Sequence, residues 1–158
     1  MKKRILMVAM VVLALMVSLS VALADESRPP EDQISLDPNF ASYEWHRMVR
    51  SENFGLAMTK ASITKLSSTS VSVYGYTEGN EKCAVVGGTI YLQQWNDNKW
   101  NNYHSITFTG REVYMFSATR TVTVESGKYY RVFVSHYGVA YDGNQMGMSS
   151  TTKSIYVN

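Results

Sequence analysis

Thr89-Ile90-Tyr91-Leu92-Gln93-Gln94-Trp95-Asn96-Asp97-Asn98-Lys99-Trp100-Asn101-Asn102-Tyr103-His104-Ser105-Ile106-Thr107-Phe108 reads as two strands joined by a tight turn. Ile90 and Leu92 alternate with polar or amphipathic residues, as on a half-buried strand. Asp97 and Asn98 tolerate the positive φ that a two-residue hairpin turn demands. A turn centred there sets Trp95 directly opposite Trp100. Parity then conflicts with pairing. Trp95 is out of phase with Ile90 and Leu92 and should point outward, whereas Trp100 is in phase with Ile106 and Phe108 and should point inward. Directly paired residues share a face, so one strand must contain a bulge or a break.

The same texture extends on both sides. Runs at 63–66, 70–76, 89–95, 100–108, 114–124, 129–136 and 150–157 are rich in β-branched and aromatic residues. Connections are expected at 77–80, 96–99, 109–110, 125–128 and 138–147. Seven short strands with frequent turn signals and no long helical pattern predict an all-β, antiparallel fold, a sandwich or a barrel. Alternation assigns the core to Val71, Val73, Ile90, Leu92, Tyr114, Phe116, Ala118, Val122, Val124, Tyr130, Val132, Val134, Ile155 and Val157, with Arg120 as a charged misfit on its face.

The N-terminus has a different grammar. Lys2, Lys3 and Arg4 precede an apolar run, and Ala22-Leu23-Ala24 places small residues where a signal peptidase reads. Residues 1–24 are expected to be a secretory signal peptide, with the mature chain starting at Asp25. The whole chain has 15 basic and 13 acidic residues; without the signal, 12 basic and 13 acidic residues leave a charge of −1. That balance excludes nucleic-acid binding driven by basicity, and no membrane association is expected after cleavage. Residues 25–61 are expected to form a flexible lead. Within it, 38–50 reads either as a short helix capped by Asp37 and Pro38, with Ala41, Trp45, Met48 and Val49 on one face, or as an extended segment across the domain. Residues 62–158 form the expected β domain.

Val124-Glu125-Ser126-Gly127-Lys128-Tyr129-Tyr130-Arg131-Val132-Phe133-Val134 resembles the entry to the sixth strand of fibronectin-III and immunoglobulin-like domains. The resemblance implies an antiparallel β-sandwich of immunoglobulin or fibronectin-III type with about seven strands, and a structural role for Tyr130, whose hydroxyl would bond back to the preceding turn. Over residues 62–158, Leu92-Gln93-Gln94-Trp95, Trp100, Tyr130-Arg131-Val132, His136 and the run from Ser149 to Val157 are similar to a family of small secreted proteins of Gram-positive bacteria, known only as a domain of unknown function. It implies secretion and a β-rich fold, and it carries no catalytic residue.

Chemistry-bearing residues are sparse. His46, His104 and His136 are far apart in sequence and lack a metal-pair spacing, so neither a metal nor a cofactor is expected. Cys83 reads as a small buried residue. His136 shares parity with Val132 and Val134 and reads as a strand-end histidine bonded to a loop carbonyl. No catalytic residue is assigned.

A secreted, non-enzymatic extracellular binding module is therefore expected, for cell-envelope glycan or a protein partner, with Trp95, Trp100 and Tyr103 as an aromatic platform. Tyr137, Tyr141, Asp142 and Asn144, in a loop over 137–145 at one end of the sandwich, complete the candidate site. Two other readings stand beside it. A small secreted hydrolase would bring a histidine and a carboxylate together, and an assembling structural or toxin-like protein would show a long unpaired edge strand. The oligomeric state is left open.

Overall fold

The computed structural model describes residues 28–46 and 54–158; the expected signal peptide and its cleavage site lie outside them. A 3-10 turn at Glu31–Gln33 precedes seven strands: β1 (Phe40–His46), β2 (Leu56–Ser67), β3 (Ser70–Asn96), β4 (Lys99–Thr123), β5 (Lys128–Val139), β6 (Gln145–Thr151) and β7 (Ile155–Val157). Every strand pairing is antiparallel, and hydrogen bonds join the seven into one sheet. The all-β, antiparallel expectation holds. Among the described residues no helix is long and apolar enough to cross a membrane.

Two expected connections, 77–80 and 109–110, lie inside strands. β3 and β4 run through both, paired with each other from Asn96↔Lys99 to Ser70↔Thr123. The Gly-Asn-Glu signal after Glu78 marks a bend instead of a turn: the register shifts between Glu78 and Cys83, so β3 carries extra residues there. Beyond β4, the early part of β3 pairs with β2, whereas its later part pairs with β5. The sheet therefore has two parts, linked by the bent β3 and β4.

The two parts face each other across one core. Val71, Val73, Ala61 and Ile63 from the first part join Ile90, Leu92, Val132 and Val134 from the second in a single buried cluster. Burial of each such side chain contributes on the order of 1.5–3 kcal/mol. The approach is tight at Gly75, where a Cβ would stand 2.9 Å from Ile90 Cγ1 and 3.0 Å from Phe108 Cε1. Only a residue without a side chain lets Ile90 and Phe108 pack against the backbone of β3 there.

Tyr114 and Phe116 depart from the expected core, being 59% and 39% exposed. Their alternation is correct, because Phe116 pairs with buried Thr77. Their burial fails because β4 is an edge strand and nothing among the described residues covers this stretch.

The N-terminal segment also differs from expectation. Residues 40–46 form strand β1, not a helix, paired with β2 from Phe40↔Thr64 to His46↔Met58. Asp37 does accept a backbone hydrogen bond, from Asn39 N at 2.8 Å, but it closes a turn into a strand. Met48 and Val49 lie outside the described residues. The expected boundary at 62 falls inside β2, whose Leu56 is fully buried. The earlier part of the lead is tied down as well. Ser35 N donates to Ser154 O (2.8 Å), and Ser154 N donates to Gln33 O (2.6 Å), so this stretch is bonded to the entrance of β7.

Candidate functional site

The β3–β4 hairpin turns on Asp97 (φ 53°) and Asn98 (φ 57°), the two positive values that a tight hairpin with right-handed strand twist requires. Trp95 pairs with Trp100, and their rings meet edge to face with centroids 5.1 Å apart. The break demanded by parity is present. Gln93 opposes Asn102 while Leu92 opposes His104, which leaves Tyr103 as an extra residue in β4. The bulge reverses the phase of β4, so Trp100 shares the outer face with Trp95 and the expected inward placement of Trp100 is corrected.

Trp100 is largely engaged within the protein. The Arg131 guanidinium lies over its ring at 4.3 Å, a cation–π contact. Its Nε1 donates to Gln33 Oε1 at 2.9 Å, so the N-terminal segment closes over one side of the indole. Arg131 Nε donates to Gln93 Oε1 (2.8 Å), and Gln93 Nε2 donates to Asn102 Oδ1 (3.0 Å), forming a polar row beside the tryptophans. Trp95 Nε1 is buried without a hydrogen-bond partner among the described residues. The pair is therefore a half-buried brace, not a bare platform.

The bulge opens a shallow depression of about 330 Å³ beside the pair, lined by Tyr91, Asn102, Tyr103, His104 and Ser105. Tyr91 is backed by Phe133, with centroids 5.9 Å apart, and Tyr103 by Tyr130 at 5.6 Å. Two braced aromatic rings thus stand beside an amide, an imidazole and a hydroxyl. Sequence reasoning named Tyr103 here and missed Tyr91, His104 and Ser105, because parity demands a bulge or break in the hairpin without saying which residue is extra or what it brings together.

The other candidate residues are not brought to this place. Tyr137 sits within β5 and its hydroxyl bonds Thr109 Oγ1 at 2.7 Å. β5 runs to Val139 and β6 begins at Gln145, so the expected loop over 137–145 shrinks to a turn at 140–144. There Asp142 accepts from Asn144 N (3.0 Å) and from Asn144 Nδ2 (2.7 Å), which commits both side chains to the turn. Tyr141 is 61% exposed beside them. Gln94 pairs with Tyr130 and Val85 with Val139, so this turn stands nine residues, about 30 Å, along the strands from the hairpin.

Tyr130 has no exposed surface, and its hydroxyl is fully used. It donates to Glu125 O (3.1 Å) and accepts from Glu125 N (3.0 Å) and Gln94 Nε2 (2.8 Å). Burial pushes the phenol above its ordinary pKa. Tyr130→Phe leaves a backbone N–H and a carbonyl at this turn short of a partner. It is expected to cost about 1.5 kcal/mol with no change in fold, read by urea titration with a circular dichroism control.

His136 is not bonded to a loop carbonyl. It is buried in the core between Thr77 Oγ1 (Nδ1, 2.8 Å) and Ser150 Oγ (Nε2, 2.7 Å). Thr77 donates its one proton to Gly87 O at 2.9 Å, so it must accept from His136 Nδ1–H, and Nε2 then accepts from Ser150. A serine and a histidine are thus paired, but at 2% and 1% exposure neither can meet a substrate.

Cys83 is also fully buried, packed in the bend of β3 with its Sγ 3.4 Å from Glu81 O. Burial raises its pKa, which keeps it a protonated thiol.

A histidine and carboxylates do gather on the outer face of the first part of the sheet. Glu44 bonds His46 and pairs with Lys60 Nζ at 2.8 Å. Lys60 stands 5.7 Å from the Tyr76 ring, and Tyr76 donates to Glu78 Oε2 at 2.6 Å. Lys60 first, then His46, holds Glu44 below the usual carboxylate range, while burial, reinforced by Glu78, raises Tyr76. The cluster is a solvated ion-pair network in which no carboxyl is made a proton donor. Among the described residues no group of three or more His, Cys, Asp or Glu could hold a metal ion. No protein-family model matches the chain, and searches of curated proteins and of solved structures find no match.

Proposed function

We propose that the protein is a secreted, non-enzymatic binding module and that its ligand is a cell-envelope glycan held in the depression at the β4 bulge. The observation that carries this reading is the pairing of two braced tyrosine rings, Tyr91 and Tyr103, with Asn102, His104 and Ser105 around one open concavity. Sugar rings present apolar C–H faces that stack on aromatic rings, and a rim of hydroxyls that seek amide, imidazole and hydroxyl partners. The volume is at the small end of ligand sites, which suits one or two sugar units bound weakly at an exposed position. With its Oδ1 occupied by Gln93, Asn102 offers its Nδ2 hydrogens. Trp95 and Trp100 serve this site by bracing the hairpin that carries it.

The test is a pull-down of the mature protein on insoluble cell-wall glycan. Asn102→Ala and His104→Ala are expected to weaken retention roughly tenfold each, the effect of leaving polar ligand groups unpaired. Both are exposed, so their urea midpoints should match the wild type. Retention unchanged in both variants would remove the depression from the binding reaction.

A further inference from the structure

The second sheet edge of the molecule is unusual in length and composition. β4 runs from Lys99 to Thr123, and among the described residues only β3 pairs with it. The far side of the strand therefore has no strand partner among the described residues, although single carbonyls are met by side chains, Thr119 O by Arg120 Nη1 at 3.0 Å and Lys99 O by Asn101 Nδ2 at 3.4 Å. In the middle of this edge Tyr114, Met115 and Phe116 are 59%, 53% and 39% exposed. Both faces of the strand are open there, so the rings project from an edge that nothing among the described residues covers. Arg120 faces the core side, opposite buried Val73, and is itself exposed. A charge on the inward face of an edge strand repels casual strand addition, because an added strand would bury it unpaired.

We propose that β4 is the contact surface for a second copy of this chain, joined edge to edge as an antiparallel pair centred on Phe116. The charge pattern selects this occupant and this register. An antiparallel pair related by a two-fold axis perpendicular to the sheet opposes only residues of equal parity. The centre at Phe116 is the one that sets Glu112 of each copy against Arg120 of the other, twice. It sets Tyr114 against Ala118, Met115 against Ser117, and Phe116 against its own counterpart. No like charges are opposed between residues 112 and 120. Glu112 takes a left-handed backbone (φ 55°) at the start of this stretch, next to the shift in the β3–β4 register. The inward charge that turns away other strands is thus matched by a carboxylate that a second copy supplies. The edge is distinct from the depression at the bulge, and the inference does not depend on the glycan reading.

Sedimentation of the mature protein over a concentration series tests it. A monomer–dimer equilibrium is expected. Arg120→Glu and Glu112→Arg each oppose like charges twice and should weaken the dimer roughly tenfold or more, and the double exchange should restore it. Circular dichroism and urea midpoints of the variants establish that the monomer fold is retained. A protein that stays monomeric up to about 1 mM, the weakest association worth the name, overturns the proposal. So does a dimer whose strength ignores the single exchanges, because that dimer uses another surface.

Discussion

Gly87→Ala is expected to lower stability by about 3 kcal/mol or more, enough to leave a marginal domain largely unfolded at moderate urea. Gly87 is enclosed on both sides, paired with Thr109 of β4 and Tyr137 of β5. A Cβ there would stand 2.1 Å from Phe108 O and 2.9 Å from Thr109 Cα. Both are backbone atoms of a central pairing, so relief requires β4 to shift against β3. The shift would also disturb Gly87 O, which receives the Thr77 hydroxyl and thereby fixes the hydrogen bonds of His136. Gly147 is the control. It lies on β6, opposite Tyr137 of β5, and its added Cβ would meet no atom closer than His136 O at 3.4 Å. Gly147→Ala should stay within about 0.5 kcal/mol of the wild type. Equal urea midpoints for the two variants would show that β3 and β4 can separate freely at this point, contrary to the tight approach described above.

Side-chain alternation was legible because it is local. Val71, Val73, Ile90, Leu92, Val132, Val134 and Ile155 are all buried, as their phase requires. The turn at Asp97 and Asn98 was legible because positive φ restricts residue type. Even the bulge could be inferred, since Trp95 and Trp100 could not otherwise be paired. What sequence could not supply is the distinction between a turn and a bend. Gly79 and Asn80 carry the residues of a turn, yet β3 continues, because β4 runs alongside it through the bend. That pairing joins residues distant in sequence, and no local signal encodes it.

The same limit explains the errors at the edges. Tyr114 and Phe116 have the alternation of a core strand, and they are exposed because no neighbour beyond β4 exists among the described residues. Tyr137 looked like a loop residue because Gly138, Gly143 and Gly147 crowd around it, but β5 and β6 pair through that region. Asp142 and Asn144 have the hydrogen-bonding groups of a binding loop, and those groups close the turn instead. In the candidate site, the hairpin pattern pointed to Tyr103 but not to Tyr91, which lies across the bulge from it. His104 and Ser105 became relevant only when the extra residue in β4 placed them beside Tyr91.

Acidification provides the second large effect, and it follows from His136. The imidazole is 1% exposed and packed between two hydroxyls, with no carboxylate bonded to it, so burial lowers its pKa from 6.5 to about 4. The unfolded chain binds the proton more readily than the folded one throughout that interval. Stability contributed by the neutral imidazole is therefore fully present above pH 6.5 and declines as the pH falls toward about 4. The loss over the interval is on the order of 3 kcal/mol. Protonation would also place a proton on Nε2, opposite a serine hydroxyl that would then have to turn and accept it. Urea titrations at intervals between pH 7 and pH 4.5 should show a steadily falling midpoint for the wild type. His136→Gln should be less stable at pH 7, because an amide cannot span both hydroxyls as the ring does, yet nearly flat between pH 6.5 and pH 5. His46 and His104 are both exposed and remain in the variant, so a slope due to them would persist. Parallel slopes in the two proteins would mean that the buried imidazole is not the group responsible, and that the Thr77–His136–Ser150 chain tolerates a charge that its burial should forbid.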